Sequence, residues 1–313
     1  MEMTPAATAR VAGVRAGRRR SLSAREERIG LLLISPWIIG FVLFELLPVL
    51  TSLYFSLNEY AVVDVPRWVG LGNYRQAFFG DDLFWRSLYN TVYYVGLGVP
   101  LRIAFAFALA LLLNAKIRGI LAFRVIYYLP SIVPAVGTAV LWYILLSPRS
   151  GLVNLGLAFL GVPRINWLGD PVWAKPALIL MSLWGLGGSM VIYLAGLQGI
   201  PNHLYEAAQI DGASGWRQFW SLTLPLMTPT VFLTLVMNII SSFQVFSVAF
   251  IITRGGPRNA TLFYMLHLYN NAFAYFRMGY ASALAWVLFV IIVIMTLIVV
   301  RSSDRWVFYQ GGR

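Results

Sequence analysis

Residues 199–225 read GIPNHLYEAAQIDGASGWRQFWSLTLP and separate two runs, 176–198 and 226–253, that contain no charged residue. Each run reaches the roughly 20 mostly apolar residues that a helix needs to cross a lipid bilayer. The stretch between the runs is richer in polar and charged side chains, which favour contact with water. The sequence therefore predicts two membrane-spanning helices joined by a structured loop at the membrane surface.

The loop carries start and stop signals for two short helices. Asn202 follows a proline and is of a residue type that caps helix starts, and Gly212 is of the type that commonly follows a helix end. Ser214 is a second capping residue, which predicts a second helix that runs into Pro225. We therefore expect two short capped helices at the membrane surface.

One face of the first predicted helix is suited to contact with another protein. The three-and-four spacing of a helix puts on it Leu204, Ala207, Ala208 and Asp211. The alanine side chains are small, so a partner's surface could come within reach of the backbone. Glu206 on the same helix could pair with an arginine of that partner. The face is therefore predicted to be a docking site.

The composition is that of a membrane protein. Hydrophobic residues make up 59% of the 313 residues and charged residues only 12%, which excludes a typical soluble domain. The net charge of +12 would suit a nucleic-acid binder, but the arginines stand in short clusters between long apolar runs. We therefore predict no nucleic-acid partner and an all-α membrane protein with six transmembrane helices. The six runs are 31–57, 87–113, 125–146, 176–198, 226–253 and 279–300.

The charges also predict the domain organisation and the orientation. A basic tail over 1–30 would precede a membrane domain at 31–300, and a second tail would follow at 301–313. Lys and Arg number 14 in the tails and the loops on their side, against 9 in the other three loops. By the positive-inside rule, both termini then lie in the cytoplasm.

The spacing within the loop also matches a known signature. The residues that carry the match are Glu206-Ala207-Ala208, Gly212, Leu222 and Leu224-Pro225. Further matching residues are Gly70-Leu71-Gly72-Asn73-Tyr74, Tyr128-Leu129-Pro130, Pro134, Trp142, Gly151 and Gly255-Gly256-Pro257. With these, the chain resembles the permease subunits of bacterial ATP-binding-cassette (ABC) importers, in the carbohydrate branch related to the maltose permeases. Leu222 stands where the family signature has Ile.

The resemblance implies the type I ABC importer permease fold and a set of partners. The loop would dock in a cleft of a separate ATPase, and the coupling residues would be Glu206, Ala207, Ala208, Asp211, Gly212, Leu222 and Pro225. Two such ATPase subunits would bind ATP and Mg²⁺, and this chain would bind no cofactor. A second homologous permease would complete a heterodimer, and an extracytoplasmic solute-binding protein would deliver a carbohydrate. The complex would lie in the bacterial cytoplasmic membrane.

The chain offers no energy source and no catalytic group of its own. A phosphate-binding loop ends in Gly-Lys-Ser/Thr, but neither of the two lysines, Lys116 and Lys175, follows such a loop. There is no cysteine, and the two histidines, His203 and His267, are predicted on opposite sides of the membrane. We therefore predict no catalytic residue, no metal site and no enzyme activity.

Two alternatives were weighed against the importer. An ion-coupled secondary transporter would place acids or broken helices near the membrane midplane. Glu45 and Arg102 are the charged residues within the predicted spans, and each is either structural or active in substrate or proton binding. A scaffold or receptor without transport is disfavoured by the polar residues deep in the fourth and fifth spans.

Those polar residues are the candidate substrate pathway. Sugars are bound by hydroxyl and amide hydrogen bonds and by aromatic rings stacked on their apolar face. The fourth span offers Trp184 and Gly185, and the fifth offers Asn238, Ser241, Ser242 and Gln244. The alternative for the second group is hydrogen bonding between helices. Oligosaccharides, polyols and glycerol phosphates all stay open as substrates.

Overall fold

The computed structural model describes residues 15–62, 64–115 and 117–308 of the chain. The first 14 residues of the predicted basic tail and the last five of the predicted C-terminal tail lie outside this range. The chain divides into two compact units, which meet between Phe55 and Ser56.

The first unit is one long apolar helix with a local widening. It comprises α1 (Arg15–Phe41), a π-helical turn (Val42–Leu46) and the start of α2 (Leu47–Ser56). Glu26–Ser56 is apolar and long enough to cross a membrane. Glu45 lies in the π-helical turn and is exposed. A π turn forms where the regular hydrogen-bond ladder is interrupted, and here Pro48 follows, whose nitrogen has no hydrogen to donate.

The second unit contains the remaining elements. A two-residue strand pair, β1 (Asn58–Glu59) and β2 (Arg67–Trp68), precedes twelve helices. In chain order these are α3 (Gly72–Phe79), α4 (Asp82–Leu113), α5 (Ile120–Tyr128), α6 (Ala135–Leu145), α7 (Leu152–Phe159), α8 (Pro171–Ser182), α9 (Gly187–Gln198), α10 (Asn202–Ile210), α11 (Gly215–Gln218), α12 (Leu224–Phe243), α13 (Tyr264–Tyr269) and α14 (Met278–Ser303).

The predicted all-α membrane fold is confirmed. Among the described residues, four helices are long and apolar enough to span a bilayer, or six when each of two bent pairs counts as one span. The bent pairs are α5 with α6, at 99°, and α8 with α9, at 47°. Prolines cause the first bend, because Val133 precedes Pro134 and adopts an extended backbone (ψ 130) instead of a helical one.

The core of the second unit forms around α4, which packs against α8, α9, α12 and α13. Small residues allow the close approach: Ala106 and Ala110 of α4 are fully buried. Gly187, at the start of α9, meets the end of α5 so closely that a Cβ there would lie 2.8 Å from the Cα of Tyr128. Tyr193 of α9 shares a 2.5 Å hydrogen bond with Thr234 of α12 in the same core.

A half-buried carboxylate joins three helices at the start of α4. Asp81 caps α4 by accepting from the backbone N–H of Leu83 (2.9 Å), and its second oxygen accepts from Tyr280 Oη (2.6 Å) and His267 Nε2 (3.0 Å). Burial alone would raise the pKa of Asp81, but the hydrogen bond from Tyr280, the His267 charge and the bond from the Phe84 N–H outweigh burial and lower that pKa. Asp81 therefore stays ionised at neutral pH and ties α4 to α13 and α14.

His267 should make the stability of this junction depend on pH. Burial lowers the pKa of His267 below its ordinary value of 6.5, and the attraction of Asp81 offsets this only in part. The folded state therefore holds a neutral histidine, and its stabilising effect is complete above pH 6.5 and declines as the pH falls below that value. The apparent Tm of the purified protein should fall between pH 7 and pH 5.5, and His267→Gln, which keeps a donor near Asp81 but does not titrate, should flatten that fall. An equal fall in both proteins would contradict the assignment.

Candidate coupling loop and translocation cavity

The predicted surface helix is α10, and the structure shows how it begins and ends. Pro201, with an extended backbone (ψ 130), takes the N-cap position, so the prediction that Asn202 caps the helix is wrong. At the other end Gly212 has φ +74, and the next N–H, of Ala213, bonds back to the carbonyl of Ala208 (2.8 Å). This is the glycine-dependent helix end that the sequence predicts.

The second short helix is not separate. Ser214 caps α11 by accepting from the N–H of Arg217, as predicted, but α11 passes through a π-helical turn (Phe219–Thr223) directly into α12. The result is one apolar helix over Gly215–Phe243, 29 residues long. The prediction of a short second helix is therefore wrong, because the widened turn carries the backbone past Pro225 without a break.

Side-chain contacts fix α10 against the membrane domain. Leu204 and Tyr205 are half-buried and pack on the core formed by α4, α9 and Met227. The hydroxyl of Tyr205 lies 3.0 Å from that of Thr223, and Gln218 Nε2 donates to the carbonyl of Ala213 (2.9 Å). A displacement of α10 would therefore be transmitted to the first turns of the 215–243 helix.

The predicted coupling residues divide between the outer and inner sides of this assembly. The outer side is exposed and carries Glu206, Ala207, Asp211 and Gly212. Ala208, Leu222 and Pro225 are half-buried. Leu204 faces the core, so the four residues predicted to share one docking face do not all point the same way.

Two exposed apolar residues were missed from the sequence. Ile210 is 87% exposed on the outer side of α10, and Trp216 is 72% exposed at the start of the next helix. Large apolar side chains on a water-facing loop mark a contact surface. The signal that could have found Ile210 is its position four residues after Glu206, on the same side of the helix.

The second site is a cavity of about 230 Å³ at the break between α8 and α9. Its wall includes Tyr94, Ser131, Thr138, Leu178, Met181, Ser182, Trp184, Gly185 and Val248. The predicted pathway residues Trp184 and Gly185 thus lie in the wall. The ring of Trp184 meets that of Trp142 edge to face, with centroids 6.3 Å apart. Hydroxyls and an indole in one wall are the groups that bind a sugar.

The four predicted residues of α12 lie outside this cavity wall. Asn238 donates to the carbonyl of Thr234 (2.8 Å), and buried Ser242 bonds to the Asn238 carbonyl and accepts from Arg102. Ser241 and Gln244 are instead exposed near the end of the same helix. Asn238 and Ser242 thus have partners inside the chain, and Ser241, although exposed, also donates to the Asn238 carbonyl (3.2 Å).

No metal site accompanies these features. Among the described residues, no group of three or more His, Cys, Asp or Glu side chains could hold a metal ion.

A helical membrane domain with an internal cavity and a surface helix fixed to one of its spans is the architecture of a transport permease. The chain belongs to the family described as binding-protein-dependent transport system inner membrane component, whose model matches residues 84–308. These are permease subunits of ABC importers of the inner membrane, and permease subunits are not themselves enzymes.

Relatives and solved structures agree with this assignment. A probable ABC transporter permease, YesP of Bacillus subtilis, is 43% identical over 94% of this chain and 96% of its own length. The trehalose/maltose permease MalF of Thermococcus litoralis is 34% identical over 90% of this chain and 95% of its own. The crystal structure of a bacterial ABC importer of the acidic polysaccharide alginate matches with a TM-score of 0.81 and 26% identity, covering 92% of this chain and 99% of its own. That importer has also been solved with a periplasmic protein bound to an alginate pentasaccharide.

The helix end at Gly212 provides a test of whether this cap keeps residues 202–212 rigid. At Gly212 a Cβ would meet no atom within 4 Å, so Gly212→Ala would cost only backbone strain, about 1–2 kcal/mol for a left-handed residue. Hydrogen exchange of the amides of 202–212 should accelerate in that variant. Gly215→Ala, where a Cβ also meets open space but φ is not positive, is the matched control and should exchange like the wild type. Equal exchange in both variants would show that the loop is not held by this cap.

Proposed function

We propose that this chain is the permease subunit of a carbohydrate importer, forms half of the translocation pathway and receives its driving force from a separate ATPase through α10. The observation that carries the proposal is that side-chain hydrogen bonds link α10 and its capped end to the first turns of the 215–243 helix. Relatives named for trehalose, maltose and alginate support a carbohydrate as the substrate.

The ATPase would contact the outer side of α10. Glu206, Ala207 and Ile210 are exposed there, and Asp211 and Gly212 follow at its end. When two ATPase subunits close around ATP and Mg²⁺, they would move α10, and the bond between Tyr205 and Thr223 would pass that motion to α12. In this proposal both termini and α10 lie on the cytoplasmic side, as the positive-inside rule predicts.

A second, homologous permease would cover the outward-facing polar groups of α12. Ser241 and Gln244 are exposed near the end of a membrane helix; the Ser241 hydroxyl donates to the carbonyl of Asn238 (3.2 Å), whereas lipid would offer the Gln244 amide no partner. A partner chain with its own polar groups, and the substrate between the two, would satisfy them. The heterodimer and the domain limits 1–30, 31–300 and 301–313 belong to this proposal.

A solute-binding protein would deliver the carbohydrate from the other side. The alginate importer solved with a periplasmic protein supports this partner. The cavity around Trp184 would then receive the released substrate. In this cycle the permease makes and breaks no covalent bond: its residues bind the sugar, exclude lipid and change the side to which the cavity opens.

The ATPase contact can be tested with a charge placed at its centre. Ile210→Lys should lower the amount of ATPase that co-purifies with the complex at least tenfold, because the contact would bury an unpaired cation. Gln209→Lys adds the same charge to the neighbouring exposed residue, on the flank of α10, and should retain more ATPase. A chain that purifies alone and still transports would refute the importer.

The outward-facing polar groups give a separate test. Replacing both Ser241 and Gln244 by Ala should lower sugar uptake severalfold while the ATPase still co-purifies, because these residues lie far along the chain from α10. Ser302→Ala, an exposed serine near the end of α14, should have no effect. Unchanged uptake in the double variant would remove both residues from the proposed pathway.

A further inference from the structure

Two cations lie inside the membrane domain without an acid beside them. Between Asp82 and Asp170 the chain has no Asp or Glu at all. Within the described residues, the ion pairs are Arg67 with Glu59 and His267 with Asp81, so neither Arg102 nor Lys175 is neutralised by a carboxylate. Arg102 lies within a predicted span, where an uncompensated charge is costly and indicates a function, and Lys175 lies one residue before another predicted span.

Arg102 lies roughly 16 Å from the end of α4 at Leu113, by the 1.5 Å rise of a helix residue. Its Nε donates to the carbonyl of Gly98 (3.4 Å), and a terminal nitrogen donates to Ser242. The guanidinium group has five N–H donors, so most of them stay available. The guanidinium carbon is 5.8 Å from the ring centroid of Tyr94.

Lys175 lies in α8, which packs against α4, the helix that carries Arg102. Its Nζ donates to Asn90 Oδ1 (3.0 Å) and stands between two rings, 4.8 Å from the centroid of Tyr89 and 4.9 Å from that of Tyr93. Polar and aromatic groups thus hold the ammonium in place without cancelling its charge.

Residues in the wall of the cavity around Trp184 link it to both charges. Tyr94, whose ring the guanidinium of Arg102 approaches, forms part of the cavity wall. Leu178 and Ser182 of the same wall follow Lys175 along α8 by one and two turns. Because the surrounding medium is apolar, both cations raise the electrostatic potential in the cavity.

We infer that Arg102 and Lys175 make this cavity selective for an anionic carbohydrate, one that carries carboxylate or sulfonate groups. The inference rests on the proposed function and names its substrate class. One of the loops predicted to face outside is also positively charged: residues 254–277 contain three arginines and no acid. An anionic sugar would be attracted at that loop and again within the membrane domain.

The test uses the assembled importer with its binding protein in proteoliposomes and measures stimulation of ATP hydrolysis. The probes are matched pairs: uronate-bearing oligosaccharides of galacturonate, glucuronate and alginate type, each beside its neutral methyl ester, together with sulfonated sugars and neutral malto- and galacto-oligosaccharides. We expect an anionic member to stimulate hydrolysis and its uncharged counterpart to fail. A neutral sugar as the best stimulant would overturn the inference and leave the proposed function standing.

The variants separate charge from structure. Arg102→Gln should reduce stimulation by the anionic sugar at least tenfold, and Arg102→Lys, which keeps the charge, should retain more activity than the glutamine variant. Lys175→Gln should also reduce stimulation, and Arg301→Gln, at the exposed end of α14, should leave it unchanged. Stimulation that Arg102→Gln and Lys175→Gln leave intact would overturn the assignment. No response to any carbohydrate would refute the proposed function together with this inference.

Discussion

Inside a lipid bilayer, a backbone N–H or C=O group has no water to bond with, and the architecture of this permease follows from that constraint. The helices of the membrane domain are broken at two points: α5 from α6 near Pro134, and α8 from α9 around Trp184. The second break opens the cavity wall that carries Trp184 and Gly185. A break of this kind frees backbone polar groups, which a substrate or surrounding protein can then satisfy.

The same constraint bears on how a movement of α10 would be transmitted into the membrane domain. In the proposed coupling, a helix that stays continuous from Gly215 to Phe243 would act as a lever, although Pro225 and Pro229 within it donate no backbone hydrogen bond. The π-helical turn at Phe219–Thr223 keeps this continuity where Pro225 would otherwise interrupt it. Tyr205 and Gln218 connect the surface helix to this lever at its first turns. In the proposed mechanism, coupling would therefore depend on backbone continuity as much as on the docking residues.

Much of this was predictable from the sequence, because apolar length and cap residues act locally. The all-α fold, the end of α10 at Gly212 and the Ser214 cap were each predicted from a few neighbouring residues. The continuity of α11 with α12 was not predicted, since it depends on a π turn that no residue type specifies. The partner of Ser242 was also beyond the sequence, because Arg102, which donates to it, lies 140 residues away. Hydrogen bonds between distant helices leave no periodic signal.

Ionised side chains have two different surroundings in this membrane protein. Asp81 accepts hydrogen bonds from Leu83, His267 and Tyr280. These donors stabilise the negative charge of Asp81 locally, so the carboxylate serves to join helices. Arg102 and Lys175 contact a carbonyl, a hydroxyl, an amide oxygen and aromatic rings, all of them neutral. Neutral partners orient a cation without cancelling its field. A charge kept in this way can act on a mobile anion, whereas a charge paired with an acid can only hold the structure together.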